Sequence, residues 1–188
     1  YDVAAFDASG KYHLYHKVAF MDRQPLATDA AEIGMIDLES GRAVRIGETT
    51  AWNFQQGSML QWNPARPDRE VVYNVREGDS YRAVVRDVKT GAERTLSMPV
   101  AAIDPKGKYA LSINFSRVFG FRRGYGYAGV ADPGAGENAP AGDGIFLVDM
   151  ATGKSRLIVS YPRINELLRG AGSVVADGKL VVNHITFN

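Results

Sequence analysis

Ile33-Gly34-Met35-Ile36-Asp37-Leu38-Glu39-Ser40-Gly41, Ala83-Val84-Val85-Arg86-Asp87-Val88-Lys89-Thr90-Gly91 and Ile145-Phe146-Leu147-Val148-Asp149-Met150-Ala151-Thr152-Gly153 align without gaps. Each runs strand, Asp, turn, Gly, and self-similarity at this scale is the mark of a repeat architecture. The Gly supplies the positive φ that closes a hairpin, and the Asp and Ser/Thr side chains bond local backbone. A second strand follows each turn, over Arg42–Ile46, Ala92–Leu96 and Lys154–Val159. The recurring unit is an outer hairpin.

A second element precedes each one, in Phe6-Asp7-Ala8-Ser9-Gly10-Lys11-Tyr12, in Ile103-Asp104-Pro105-Lys106-Gly107-Lys108-Tyr109, and with a longer turn between Trp62 and Arg69. These read as inner hairpins. Two hairpins per unit predict a four-stranded antiparallel blade, and the glycine spacings of 50 (Gly41 to Gly91) and 62 (Gly91 to Gly153) match propeller blades of ~40–50 residues, the second enlarged by an insertion. The expected fold is all-β: β-propeller blades at 1–52, 53–99 and 100–161, with 172–188 starting a further blade. One short helix is expected, over Arg163–Arg169. Closing a ring takes about 4–8 blades, so the chain is expected to be part of a larger propeller, unless residues are omitted between its segments.

Composition narrows the function. Lys+Arg 22 against Asp+Glu 21 leaves a net charge of +1, without the basic footprint of a nucleic-acid binder. Cys 0 removes disulfides, thiolate zinc sites and a cysteine nucleophile, so any metal must use His, carboxylate or amide oxygen. No apolar run approaches the ~18 residues of a membrane span, and the chain opens on a strand-like Tyr1–Phe6 instead of a leader; a soluble protein is expected, its native N-terminus and any targeting signals lying outside this chain. Gly-x-Ser-x-Gly, phosphate-loop and His-Glu-x-x-His patterns are absent.

The Asp-x-x-Gly-Lys-Tyr inner turns and Asp-x-x-x-Gly outer turns resemble the bacterial propellers related to the β-propeller domain of the translocation protein TolB. Ala51-Trp52-Asn53-Phe54-Gln55-Gln56-Gly57-Ser58-Met59-Leu60-Gln61-Trp62 and Asn183-His184-Ile185-Thr186-Phe187-Asn188 look like the group of propellers that includes oligogalacturonate lyase. That resemblance implies a seven-bladed propeller that binds an acidic oligosaccharide at its funnel. It also implies a divalent ion such as manganese, held by several His and a Gln, that acidifies the C5 proton of a uronate ahead of β-elimination. Only three His exist, with His13 and His16 in one strand, so a full ligand cluster cannot be assigned.

The candidate residues each carry a plainer alternative. His184, on an innermost strand, is the metal-ligand candidate, or a strand histidine bonded to a carbonyl. Gln55, Gln56 and Gln61 surround a Gly in a segment leading to an innermost strand, where amides can meet sugar hydroxyls, carboxylates or an ion. Trp52 and Trp62 are expected to pack between blades. The insertion Ser116–Asp143 concentrates Arg117, Arg122, Arg123, Tyr125 and Tyr127, a set suited to a carboxylated sugar; the alternative is that its Arg residues pair with Asp132, Glu137 or Asp143. A second insertion, Phe20–Ala31, holds the equivalent place in the first blade, so both are expected to project from one face. A non-catalytic propeller that presents its funnel or rim to a protein partner is the competing function.

Overall fold

The repeated Asp closes every outer hairpin with the same bonds. Asp37 Oδ1 accepts the N–H groups of Glu39 and Ser40 at 3.0 and 3.2 Å, Asp87 Oδ1 those of Lys89 and Thr90 at 2.9 Å, and Asp149 Oδ1 those of Ala151 and Thr152 at 3.0 and 2.8 Å. In all three turns the glycine N–H returns to the Asp carbonyl at 2.8 Å, with φ of 69°, 77° and 71° at Gly41, Gly91 and Gly153. These aspartates are turn architecture.

A computed structural model describes residues 3–173 and 178–187. The second blade is complete: β4 (Gln61–Trp62), β5 (Glu70–Glu77), β6 (Ser80–Asp87) and β7 (Glu93–Leu96) form one antiparallel sheet in chain order. The third repeats it with β8 (Ala102–Ile103), β9 (Tyr109–Ser112), β10 (Gly144–Asp149) and β11 (Ser155–Ser160). The first has β1 (Tyr12–Lys17), β2 (Ala31–Asp37) and β3 (Ala43–Thr49). Its innermost position is held by residues 3–6, through the Phe6–His13 bridge and the Leu14 N–H to Ala5 carbonyl bond of 2.9 Å. The protein is all-β, built of propeller blades.

Alternation along the strands turns apolar faces toward neighbouring blades. Leu14, Ile33, Met35 and Ile46 meet Trp62, Val71 and Tyr73 between the first and second blades. Val72, Val85 and Leu96 meet Val100, Ala110, Val148 and Met150 between the second and third. Each fully buried large aliphatic contributes about 1.5–3 kcal/mol. Trp52 and Trp62, 3% and 1% exposed, both belong to the interior. A polar joint crosses the second seam: buried Asn74 donates from Nδ2 to the Val100 carbonyl at 2.9 Å and accepts the Val100 N–H at 2.7 Å.

Three expectations change. The Ser116–Asp143 insertion is not wholly a loop: it opens with helix α1 (Phe115–Phe121), capped by Asn114, whose side chain accepts the Arg117 N–H at 3.0 Å. The expected Arg163–Arg169 helix is longer, α2 (Tyr161–Gly170), with Ser160 as its N-cap. Of the strands expected within 172–188, residues 174–177 and 188 lie outside the described residues, and 178–187 join no ladder; Val181, Val182 and Ile185 pack against the buried Phe115–Tyr127 cluster.

Chain order places the long connections on one face. Turns joining first to second and third to fourth strands lie at one end of each blade, and those joining second to third lie at the other. The 18–30 and 113–143 connections, the 50–60 segment and the β5–β6 turn therefore share a face, where they are sewn together. Trp52 Nε1 donates to the Asp29 carbonyl at 2.8 Å, and Asn53 Nδ2 to the Gly126 carbonyl at 2.9 Å.

Candidate functional site

The innermost segments of the blades converge on a cavity of about 450 Å³, lined by Val3 of the first blade, Gln61 of the second, Ala102 and Ile103 of the third, and His184 to Thr186 of the final segment. The Trp62 N–H to Ala4 carbonyl bond of 3.2 Å ties two of those segments side by side. This is the funnel. Its polar side chains include Gln56, Gln61 and His184, three of the residues singled out from sequence.

The Gln segment is held there by local chemistry. Asn53 Oδ1 accepts the N–H groups of Gln55 and Gln56 at 2.9 and 2.7 Å, and the Asn53 and Gly57 backbones exchange bonds of 3.2 and 2.9 Å. Gly57 sits at φ +57°, and a Cβ there would meet His16 Cε1 at 2.5 Å, so the position demands glycine on both counts. Sequence reading missed this histidine's partner. Ser58 donates its N–H to His16 Nε2 at 3.1 Å, and its Oγ lies 2.8 Å from the same nitrogen. A backbone N–H can only donate, so Nε2 is an acceptor and the ring is neutral. Burial pulls the His16 pKa down to about 4. The two residues stand 42 apart in sequence, and nothing local in either signals the pairing.

Beyond this clamp, Met59 reaches the funnel at φ 56°, and His184 faces it at φ 56°. Both are non-glycine residues in the left-handed region, a conformation costing about 1–3 kcal/mol that concentrates at functional sites. Gln61 is buried and donates from Nε2 to the Met59 carbonyl at 3.1 Å. Gln56 Oε1 is buried without a hydrogen-bond partner, a position a native protein rarely leaves unexplained. Gln55 is exposed and does not line the cavity.

Insertion residues divide. Tyr125 sets its ring edge-on to the His184 imidazole at 5.8 Å, and the Arg122 guanidinium lies 4.4 Å over the Tyr125 ring. Arg122, Tyr125 and His184 thus form a chain of contacts from the exposed surface into the funnel wall. Arg123 is exposed. Arg117 is not available to a ligand: its side chain is 0% exposed, and all five N–H groups are used internally. Nε donates to the Leu180 carbonyl at 2.8 Å, Nη1 to Asp132 Oδ2 at 3.1 Å and the Gly134 carbonyl at 2.9 Å, and Nη2 to the Glu137 and Asn138 carbonyls at 2.8 and 3.0 Å. Tyr127 is likewise interior. It stacks on Phe115 at 4.4 Å, accepts from Asn74 Nδ2 at 2.9 Å, and its phenol pKa is driven up by burial. Arg117 and Tyr127 hold the insertion in place instead of meeting a sugar.

A manganese-type centre does not fit the donors gathered here. The funnel offers one imidazole and two amides, while His13 lies edge-on to Phe6 and His16 is bound to Ser58. Among the described residues no group of three His, Cys, Asp or Glu side chains is placed to hold a metal ion.

No protein-family model matches the chain, and no curated protein matches it. Solved structures do. TolB from Acinetobacter baumannii is 14% identical, with a TM-score of 0.47 over 84% of this chain and 32% of that one. The AtxE2 isopeptidase in its apo form is 13% identical, with a TM-score of 0.46 over 89% of this chain and 30% of that one. The chain spans about a third of the length of these proteins. The blade assignment rests on this chain's own hydrogen-bond ladders.

Proposed function

We propose that this chain forms part of a carbohydrate-active propeller that binds an acidic, hydroxyl-rich ligand at its funnel. The observation that carries the reading is the run from Arg122 through Tyr125 to His184, ending in a cavity walled by Gln56 and Gln61. An exposed guanidinium pairs with a carboxylate, an aromatic face packs on a sugar ring, and amides exchange hydrogen bonds with hydroxyls. Arg122 has no carboxylate partner among the described residues, which leaves its charge for a ligand.

Calorimetric titration with trigalacturonate and with the neutral galactose trimer tests this. Trigalacturonate is expected to bind at least tenfold tighter. Arg122→Ala should weaken it by about tenfold, the ~1.4 kcal/mol of one partly exposed charge-assisted contact, and leave the neutral trimer unchanged. Equal affinity for the two trimers, or no binding of either, rejects the reading. The finer proposal is elimination from an oligogalacturonate-like chain, with the His184 imidazole as the proton acceptor. It is read in the same mixtures as ultraviolet absorbance of unsaturated product, with manganese added or chelated.

A second reading, docking of a protein partner, is favoured by Met21 and Leu26, 85% and 60% exposed on the 18–30 connection beside the Phe20–Trp52–Phe54 ring cluster. Binding of the acidic trimer that weakens about tenfold on Arg122→Ala decides for the first.

A further inference from the structure

Off the funnel axis, on the same face, a second cavity of about 640 Å³ opens between the second and third blades, within the ~300–1,000 Å³ typical of small-molecule sites. Tyr81, Met98, Pro99, Phe115, Val130 and Phe146 give it largely apolar walls, and Ile113 lines both this cavity and the funnel. The two openings differ in charge. Arg122 stands over the funnel's Tyr125–His184 wall, whereas the charged side chains lining the second cavity are all acids, Asp79, Glu137 and Asp143, with no Lys, Arg or His.

Asp143 is engaged: its carboxylate accepts from Asn114 Nδ2 at 2.7 Å and from the Gly144 N–H at 2.6 Å. Asp79 on the β5–β6 turn and Glu137 in the insertion are exposed and form no ion pair among the described residues. They put two unpaired negative charges on the lining of an apolar pocket.

We propose that this cavity binds a small organic cation, an alkyl- or arylammonium with an apolar body. Its body fills the space against Met98 and Phe146, and its charge meets Asp79 and Glu137. An anion would face three carboxylates there. A neutral apolar molecule would gain the walls and leave the acids unused. Neither acid lines the funnel, and the two openings share only Ile113.

The test is a charge series of one shape, 3-phenylpropylamine, 3-phenylpropan-1-ol and 3-phenylpropanoate, titrated calorimetrically at low salt. The amine is expected to bind about five- to tenfold tighter than the alcohol, the effect of two half-solvated ion pairs, and the carboxylate weakest. Asp79→Asn combined with Glu137→Gln should bring the amine down to the alcohol's affinity and leave alcohol and trigalacturonate binding unchanged. Both side chains are exposed, so the variant retains its core. Equal affinity for all three probes, no binding of any, or an amine preference that survives in the double variant overturns the proposal.

Discussion

Replacing Arg117 by Ala is expected to lower the unfolding free energy by about 3–5 kcal/mol, the cost of leaving one partner of a buried ion pair uncompensated. The loss is large because one guanidinium organises most of the insertion. It anchors the Asp132 carboxylate and the carbonyls of Gly134, Glu137, Asn138 and Leu180, and lies 4.9 Å over the Tyr161 ring at the start of α2. Without it the Glu137 and Leu180 carbonyls lose their donor, those of Gly134 and Asn138 keep only the Glu137 and Leu180 N–H groups at 3.0 and 2.9 Å, and Asp132, 7% exposed, keeps only its bonds from Asn114 and the Gly134 N–H. Arg117→Lys should recover little, since an ammonium is a point donor that cannot span five acceptors in a plane. Thermal unfolding followed by circular dichroism should show a fall of about 10 °C for Arg117→Ala and almost none for the exposed Arg123→Ala. A loss below about 1 kcal/mol would mean that Arg117 does not organise the insertion.

Arg117 also shows where sequence legibility ends. The blades were readable because their signals are local: an Asp and a Gly four residues apart dictate the turn whatever surrounds it, and Asp37, Asp87 and Asp149 repeat it with nearly the same distances. The shared face of the two insertions followed from strand order alone. By contrast, an arginine among aromatics in a Gly/Ala/Pro-rich stretch has one appearance whether its donors meet a sugar or four carbonyls and a carboxylate, because those acceptors arrive from residues 15 to 63 positions away. Helix α1 was hidden for another reason. Phe-Ser-Arg-Val-Phe-Gly-Phe carries β-branched, aromatic and glycine residues with low helical preference, and its only local signal was Asn114 at the N-cap.

At the funnel the outcome is mixed. Gln56, Gln61 and His184 line one cavity, although the strand expected to carry His184 joins no ladder, and Arg122 and Tyr125 join them through ring contacts. The left-handed backbone of Met59 and His184 could not be read, since Met does not favour it and His, though enriched there, adopts it in only a small minority of cases. These two positions supply the strain on the funnel wall, and the clamp behind the Gln segment holds Met59 there.

That clamp makes a pH-dependent contribution in a window no carboxylate among the described residues shares. His16 binds as the neutral ring, with Nε2 accepting from Ser58, and its pKa falls from 6.5 in the unfolded chain to about 4 in the fold. Between those values the unfolded state takes up a proton that the folded state refuses. The stability His16 contributes is therefore complete above pH 6.5, is lost progressively as pH falls, and is gone near pH 4, a total of about 2–3 kcal/mol. The hydrogen-bonded carboxylates act in a lower window. Asp29, held at about 2 by the Arg23 guanidinium and the Leu26 N–H, and Asp87, lowered by the Thr90 N–H and Arg69, lose their contribution only as pH falls below the ordinary carboxylate range. His16→Gln separates the two, because an amide carbonyl can accept the Ser58 N–H and does not titrate. Urea unfolding at pH 7, 5.5 and 4 should show the wild type's stability relative to His16→Gln falling by about 2–3 kcal/mol across the series, with the carboxylate contributions cancelling in the difference. Trigalacturonate affinity should hold as pH falls to about 4 and weaken only near and below it, where the folded ring takes its proton and sets two donors against each other behind the segment that carries Gln56 and Met59 to the funnel. A stability difference that stays flat from pH 7 to 4 would show that His16 titrates alike in both states, and the clamp would then have no part in holding the funnel wall.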